Sequence, residues 1–206
     1  MKTRILMMFT LGLIALLAFS CSSKKQENET AGNNETAGKI EAHSGSLPSG
    51  QLMFTAQKGW IEEKPSSSMR KAQYSLPGVN GQENATMAVF FFPGTGGSVE
   101  QNLQRWYGQF KEPDGSPVTD HVERKQVNVN NLPVTEVYVT GTFLQSQSTM
   151  MMGGPVEEKT GYAMWAAIAE TAEGPWFFKA TGPQETIDHW RKSLNDFAKT
   201  FHVQNS

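Results

Sequence analysis

The chain has 206 residues, with 18 basic residues, 20 acidic residues and one cysteine. A single cysteine excludes an internal disulfide. A formal net charge of −2 without a long basic run argues against nucleic acid as a partner.

Residues 1–20 resemble the signal sequence of bacterial lipoproteins. Lys2 and Arg4 precede an uncharged, mostly apolar run over residues 5–19. This run is shorter than the roughly 20 residues that a transmembrane helix needs. The small residues Ala18 and Ser20 then lead to Cys21. The alternative is an ordinary cleaved signal peptide that happens to be followed by a cysteine.

The resemblance implies that residues 1–20 are removed and that Cys21 is acylated. The protein would then be held on the lipid bilayer by its acyl chains. Ser22 stands where retention in the inner membrane calls for aspartate, which favours the outer membrane, facing the periplasm, in a Gram-negative host. Removal of the signal would leave 16 basic and 20 acidic residues, a formal charge of −4.

Residues 21–50 are predicted to be the lipidated cysteine followed by a disordered tether. The segment has almost no large apolar side chains and repeats the sequence NETAG at 28–32 and 34–38. A flexible tether of this length spans roughly 30 Å. Residues 51–206 remain for a single globular domain, and about 155 residues are enough for its own hydrophobic core.

The first half of the domain is rich in strand signals. Residues 51–63 predict a strand and a turn at Lys58-Gly59. Residues 70–76 alternate as a half-buried strand does. The sequence TMAVFFFP, residues 86–93, predicts a central strand that ends at Pro93.

The glycine-rich sequence PGTGGS, residues 93–98, predicts a helix start and not a phosphate loop. The Walker A, dinucleotide and nucleophile-elbow patterns each fail at a residue that their chemistry requires, Val99 or Glu100. Ser98 and Gln101 instead form the capping-box pattern. An apolar stripe that follows predicts a helix over residues 99–110.

The second half predicts two strand pairs and a helix. Residues 121–144 predict a hairpin with its turn at 130–133, and a further pair surrounds residues 173–175. Apolar residues at steps of three or four predict a closing helix over 184–201, capped by Thr181 or Gly182. Trp176-Phe177-Phe178 places aromatic rings on both faces of a strand, so helices should cover both faces.

Few residues suggest chemistry. The four histidines are scattered without metal-ligand spacing, and Asp120-His121 is expected in a surface turn. Met150, Met151 and Met152 lie in a segment, residues 145–160, that is predicted to be a long connection between strands. Methionine suits an adaptable protein contact, and its thioether also suits Cu(I). A flexible loop, a contact with an envelope protein and a copper site remain the alternatives for this triplet.

The order of elements from about residue 51 to 203 resembles that of the PsbP-like α/β/α sandwich superfamily. The resemblance rests on YSLPG, the RW of the first helix, the NNLP hairpin and the closing FAKTFHV. Two sequences, FPGTGGSVEQNLQRWYGQF and EGPWFFKATGP, are also similar to a group of uncharacterised bacterial exported proteins. The resemblance implies an α+β fold with an antiparallel β-sheet flanked by helices.

Members of the superfamily mainly bind other proteins or serve as accessory subunits, so the resemblance implies a non-catalytic binding or accessory lipoprotein of the cell envelope. None of the metal ligands of PsbP can be matched here, so no cofactor or metal is expected. An envelope hydrolase with an unrecognised site and a copper-handling protein that uses the methionine triplet are the alternatives.

Overall fold

A computed structural model describes residues 46–94, 96–146 and 155–204. It contains two α-helices, a short 3₁₀ helix at Val118–His121, and strands in the following order. These are β1 Gln51–Met53, β2 Ile61–Glu63, β3 Arg70–Leu76, β4 Ala85–Phe91, α1 Val99–Tyr107, β5 Phe110–Lys111, β6 Glu123–Val129, β7 Leu132–Ser146, β8 Val156–Thr171, β9 Gly174–Pro183, α2 Gln184–Ala198 and β10 His202–Gln204.

Within the described residues, eight strands form one antiparallel sheet. Its order is β2-β3-β4-β9-β8-β7, and both β5 and β6 pair along the outer side of β7. Strands β1 and β10 form a separate antiparallel pair. The predicted α+β class, an antiparallel sheet flanked by helices, is confirmed.

Each face of the sheet packs against one helix because side chains alternate along a strand. Trp176 and Phe178 of β9 join the core beneath α2, with Phe197 among its fully buried members. Phe177 points the other way and joins the core beneath α1, where it meets the edge of Trp106 at a centroid distance of 5.9 Å. The prediction that helices cover both faces of this strand is therefore confirmed.

Helix α1 starts where the sequence predicts and ends earlier. The Ser98 hydroxyl accepts a hydrogen bond from the backbone N–H of Gln101 at 3.2 Å, and the Gln101 side chain accepts one from the N–H of Ser98 at 3.1 Å. The helix ends at Tyr107 with Gly108 as its C-cap. Phe110, the last residue of the predicted apolar stripe, is buried in β5 instead.

Helix α2 begins at the predicted residue, but its N-cap and its C-terminal end differ from the prediction. It begins at Gln184 directly after β9, and Pro183 is its N-cap without a side-chain hydrogen bond. Thr181 and Gly182 are therefore not the cap, because the helix begins after Pro183 and both residues lie before it in β9. The helix ends at Ala198, and Phe201 is fully buried beyond its end.

The two predicted strand pairs are present. The turn between β6 and β7 consists of Asn130 and Asn131, which both have positive φ angles, 50° and 67°. Asparagine tolerates this conformation better than most residues do. Pro133, which the sequence placed in the turn, pairs with Asn128 inside the ladder. Strands β8 and β9 pair along their length around a tight turn before Gly174.

The connection between β7 and β8 is shorter than predicted. Gln145 and Ser146 belong to β7 and residues 156–160 belong to β8, so they pair in the sheet and do not form a loop. Met150, Met151 and Met152 lie outside the described residues, as does Cys21.

The end of the predicted tether contacts the domain. The carbonyl of Pro48 accepts a hydrogen bond from the N–H of Ala172, and a Glu173 carboxylate oxygen accepts one from the Ser49 hydroxyl at 2.6 Å. In the described part of the chain, no helix is both long enough and apolar enough to cross a bilayer.

Candidate functional site: a basic groove on the sheet

Among the described residues, α1 covers only part of one face of the sheet, because the helix is short. Seven strands side by side span about 30 Å, at roughly 4.8 Å between neighbours. A helix of nine residues is about 14 Å long. Helix α1 packs over β7, β8 and the start of β9. Beyond its C-terminal end, β3, β4 and the end of β9 form the floor of an open groove of about 750 Å³.

Small side chains leave room in the floor of this groove. Lys179 on β9 is paired with Ala88 on β4 on one side and with Ala166 on β8 on the other. Thr86 and Thr181 pair in the next row and also line the groove. Lys179 is therefore a long side chain whose paired residues on both neighbouring strands are alanines.

The Lys179 ammonium has a neutral partner and an aromatic neighbour. It donates a hydrogen bond to the side-chain oxygen of Gln109 and lies 5.7 Å from the centroid of the Phe143 ring. In residues 46–94, 96–146 and 155–204, no carboxylate oxygen comes within 4.0 Å of it. Burial, followed by the positive charges of Arg105 and Arg70, lowers the pKa of Lys179 to about 8.

Arg70 forms one wall of the groove. Its guanidinium donates a hydrogen bond to the side-chain oxygen of Gln73 at 2.6 Å and lies over the Phe90 ring, 5.9 Å from its centroid. The amide of Gln73 in turn donates to a Glu63 carboxylate oxygen at 2.8 Å. Burial lowers the pKa of Arg70, an effect that the charge of Glu63 partly offsets. Arg70 is therefore held in place and already hydrogen-bonded.

The opposite wall carries Tyr162 and Lys159. The Tyr162 hydroxyl donates a hydrogen bond to a Glu83 carboxylate oxygen at 2.7 Å. Burial and this bond raise the pKa of Tyr162 to about 12. Lys159 pairs with Glu157 at 2.8 Å. Three basic side chains and one acidic side chain line the groove, although the whole chain is acidic.

These groups suit binding of an anion with an apolar part. A partly buried ammonium attracts negative charge more strongly than an exposed one, because less water screens it. Aromatic rings and methyl groups beside it can take up apolar surface. Among the described residues, no group of three or more histidine, cysteine, aspartate or glutamate side chains could hold a metal ion.

The glycine-rich turn before α1 forms a different and less favourable depression. Its volume is about 420 Å³, and Ser98, Glu100, Arg124 and Glu170 are among its lining residues. Arg124 and Glu100 pair across it at 2.8 Å. The carboxylate of Glu100 therefore already stands at the N-terminus of the helix, where an anion would bind.

The sequence reasoning did not identify Lys179 as a site residue. The sequence PWFFKATG contains one signal: strand alternation puts Lys179 on the same face as Phe177, which was expected to lie under a helix. A charged residue on a face that a helix covers needs either a partner of opposite charge or a gap in the cover that admits water. The residues singled out from the sequence, Cys21 and the methionine triplet, lie outside the described residues.

Comparison with known proteins yields similarity in structure only. No protein-family model matches the chain, and no curated protein matches its sequence. A protein of unknown function from Pseudomonas aeruginosa is 10% identical, with a TM-score of 0.46 over 76% of this chain and 100% of its own. Cyanobacterial PsbP (CyanoP) from Synechocystis sp. PCC 6803 is 11% identical, with a TM-score of 0.40 over 78% of this chain and 96% of its own. Because both scores are below 0.5, neither similarity bears on ligand, partner or activity.

Proposed function

We propose that the protein is a membrane-anchored, non-catalytic binding or accessory lipoprotein of the bacterial cell envelope, and that its domain binds through the groove around Lys179. In this proposal, acylated Cys21 holds the protein on a bilayer, in the outer membrane facing the periplasm. The tether gives the domain reach from the membrane surface.

The observation that carries the binding role is the basic groove that the described residues leave uncovered. A charged side chain kept half-buried without a carboxylate partner lowers stability. A charge of this kind is found more often where a ligand or partner supplies the missing partner group. The volume of about 750 Å³ falls within the range of roughly 300–1,000 Å³ that is usual for binding sites.

A substitution that fills the groove tests this role. Thr86 is half-buried in the groove floor, so Thr86→Trp should occupy the groove without removing core contacts. Thr140 on β7 is also a half-buried strand threonine and, by alternation with Tyr138, lies on the opposite face. Thr140→Trp is therefore the matched control.

The measurement is capture of envelope partners by the anchored protein after cross-linking in intact cells. We expect Thr86→Trp to abolish the capture of any partner that the unmodified protein binds reproducibly, and Thr140→Trp to leave capture unchanged. Equal capture by both variants, with both folded by circular dichroism, would place binding elsewhere on the domain and contradict the proposal.

A further inference from the structure

We infer that the groove binds a monocarboxylate with an apolar body, whose carboxylate pairs with the Lys179 ammonium while its apolar body packs against Phe143 and Ala88. This inference rests on the proposed function and assigns it a class of ligand.

The Lys179 ammonium has more hydrogen-bond donors than the described residues have acceptors for it. An ammonium has three donors, and the described residues supply one acceptor, the neutral side-chain oxygen of Gln109. The charged groups that act on it most are Arg105 and Arg70, and both are positive. An anion would supply both the missing acceptors and the missing opposite charge.

The other charged side chains of the groove limit the charge of the ligand. Lysine also binds phosphate, but phosphate sites commonly add arginine forks or several backbone N–H groups to it. Here Arg70 is engaged by Gln73, and Arg105 donates to Asn102 at 2.5 Å. Among the described basic side chains of the groove, Arg70 has Glu63 nearby and Lys159 pairs with Glu157, so Lys179 alone lacks a counter-charge, which matches one negative charge on the ligand. The carboxylate of Glu83 at the rim would repel a second negative charge.

The groups beside Lys179 suit a ligand with a flat apolar body. The Phe143 ring beside the ammonium is half-buried and stacks with Tyr162 at 6.1 Å between centroids and 7° between planes. Ala88 lies next to Lys179 across the strand pair and offers only a methyl group. A flat apolar group could therefore lie along the floor between the ring and the methyl group while its carboxylate stays at the ammonium.

Fluorine NMR of the full chain in detergent micelles tests the inference, with para-fluorobenzoate as the probe. Protein-free micelles provide the background for partitioning into detergent. We expect a saturable shift that unlabelled benzoate reverses. The neutral analogue para-fluorobenzamide should bind at least tenfold more weakly because it lacks the charge. Fluoroacetate should also bind at least tenfold more weakly because it lacks the apolar ring.

Two substitutions locate the binding. Lys179→Met removes the charge while it keeps an apolar stem, and it should weaken binding of para-fluorobenzoate at least tenfold. Lys192→Met is the control, because Lys192 lies on α2, which packs on the opposite face, with an 89% exposed side chain. Lys192→Met should bind as the unmodified protein does.

The pH dependence provides a second readout. Binding should weaken as the pH rises through about 8, where Lys179 loses its proton. Lys179→Arg should retain binding and lose this dependence, because arginine stays charged.

Equal binding of fluorobenzoate and fluorobenzamide, or undiminished binding by Lys179→Met, would overturn the inference. The absence of saturable binding up to about 10 mM would overturn it as well. These failures are distinct from failure of the proposed function. If Thr86→Trp still abolishes partner capture, the groove is a binding site and only the ligand class is wrong.

Discussion

Replacing Lys179 with methionine should stabilise the protein at neutral pH, although it removes a hydrogen bond. Burial lowers the pKa of Lys179 from 10.5 to about 8. Since one pKa unit corresponds to about 1.4 kcal/mol, keeping this residue charged in the fold costs about 3 kcal/mol at pH 7. The variant loses the hydrogen bond to Gln109, which costs it about 1 kcal/mol. Because the lysine is partly exposed, the stability gained by removing its charge is smaller still. We expect a net gain of about 1–2 kcal/mol in the free energy of unfolding.

The sign of the pH dependence follows from proton binding. Above about pH 8 the folded protein has released the proton of Lys179, while the unfolded chain retains it until about 10.5. In this interval the unfolded state binds more protons, so the contribution of Lys179 to stability rises with pH. The variant lacks this rise, and its advantage over the unmodified protein should therefore shrink between about pH 8 and 10.5.

Urea unfolding monitored by tryptophan fluorescence, at about pH 7 and about pH 10, measures both effects. The difference between variants isolates Lys179, because the other titrating groups are common to both. Lys192→Met serves as the control and should change stability by less than about 0.5 kcal/mol at both pH values, as is usual for an exposed ion pair. A loss of more than about 1 kcal/mol for Lys179→Met at pH 7, or a difference that does not change with pH, would refute the reasoning.

Three further predictions concern the core, the anchor and the methionine triplet. Leu103→Ala and Phe197→Ala should each lower the free energy of unfolding by about 2–5 kcal/mol, because both side chains are fully buried; losses below about half a kilocalorie for both would contradict this. Cys21→Ala should leave the chain unprocessed and without lipid, whereas normal signal removal with a free thiol at Cys21 in the unmodified protein would exclude the anchor. Replacing Met150, Met151 and Met152 with serine should weaken partner capture with little change in melting temperature, and titration with Cu(I) should reveal no stoichiometric site; a tight copper complex that the triple variant loses would favour the copper alternative.

Local signals predicted the elements better than their ends. The start of α1 was predictable because the capping box of Ser98 and Gln101 acts within four residues. The predicted C-terminal ends of both helices were wrong because Phe110 and Phe201 continue the apolar spacing beyond the last helical residue. Phe110 is buried in the core beneath α1, and Phe201 in the core beneath α2. Apolar spacing alone therefore cannot distinguish the last helical turn from the residues that follow it.

The groove was not predictable because it depends on non-local facts. Its floor is formed by β3, β4 and β9, and the pairing of β4 with β9 joins residues about 90 positions apart in the sequence, Ala88 and Lys179. Its opening depends on the width of the sheet relative to the length of α1. The sequence around Lys179 specifies neither the pairing of β4 with β9 nor the width of the sheet. It shows only a lysine that follows three aromatic residues.

The contrast between the two faces links the fold to the proposed binding role. Helix α2 has 15 residues and, with Phe201 beyond its end, covers a core of large side chains. Helix α1 has only nine residues. Part of the sheet face on which it packs can therefore carry a charge that a covered core would exclude. The destabilising charge of Lys179 and the anion binding proposed for it would thus both follow from a position that the described residues leave uncovered. A bound carboxylate would stabilise the charged form of the lysine, and so the free energy that the fold loses by keeping Lys179 charged would become part of the affinity for the proposed ligand.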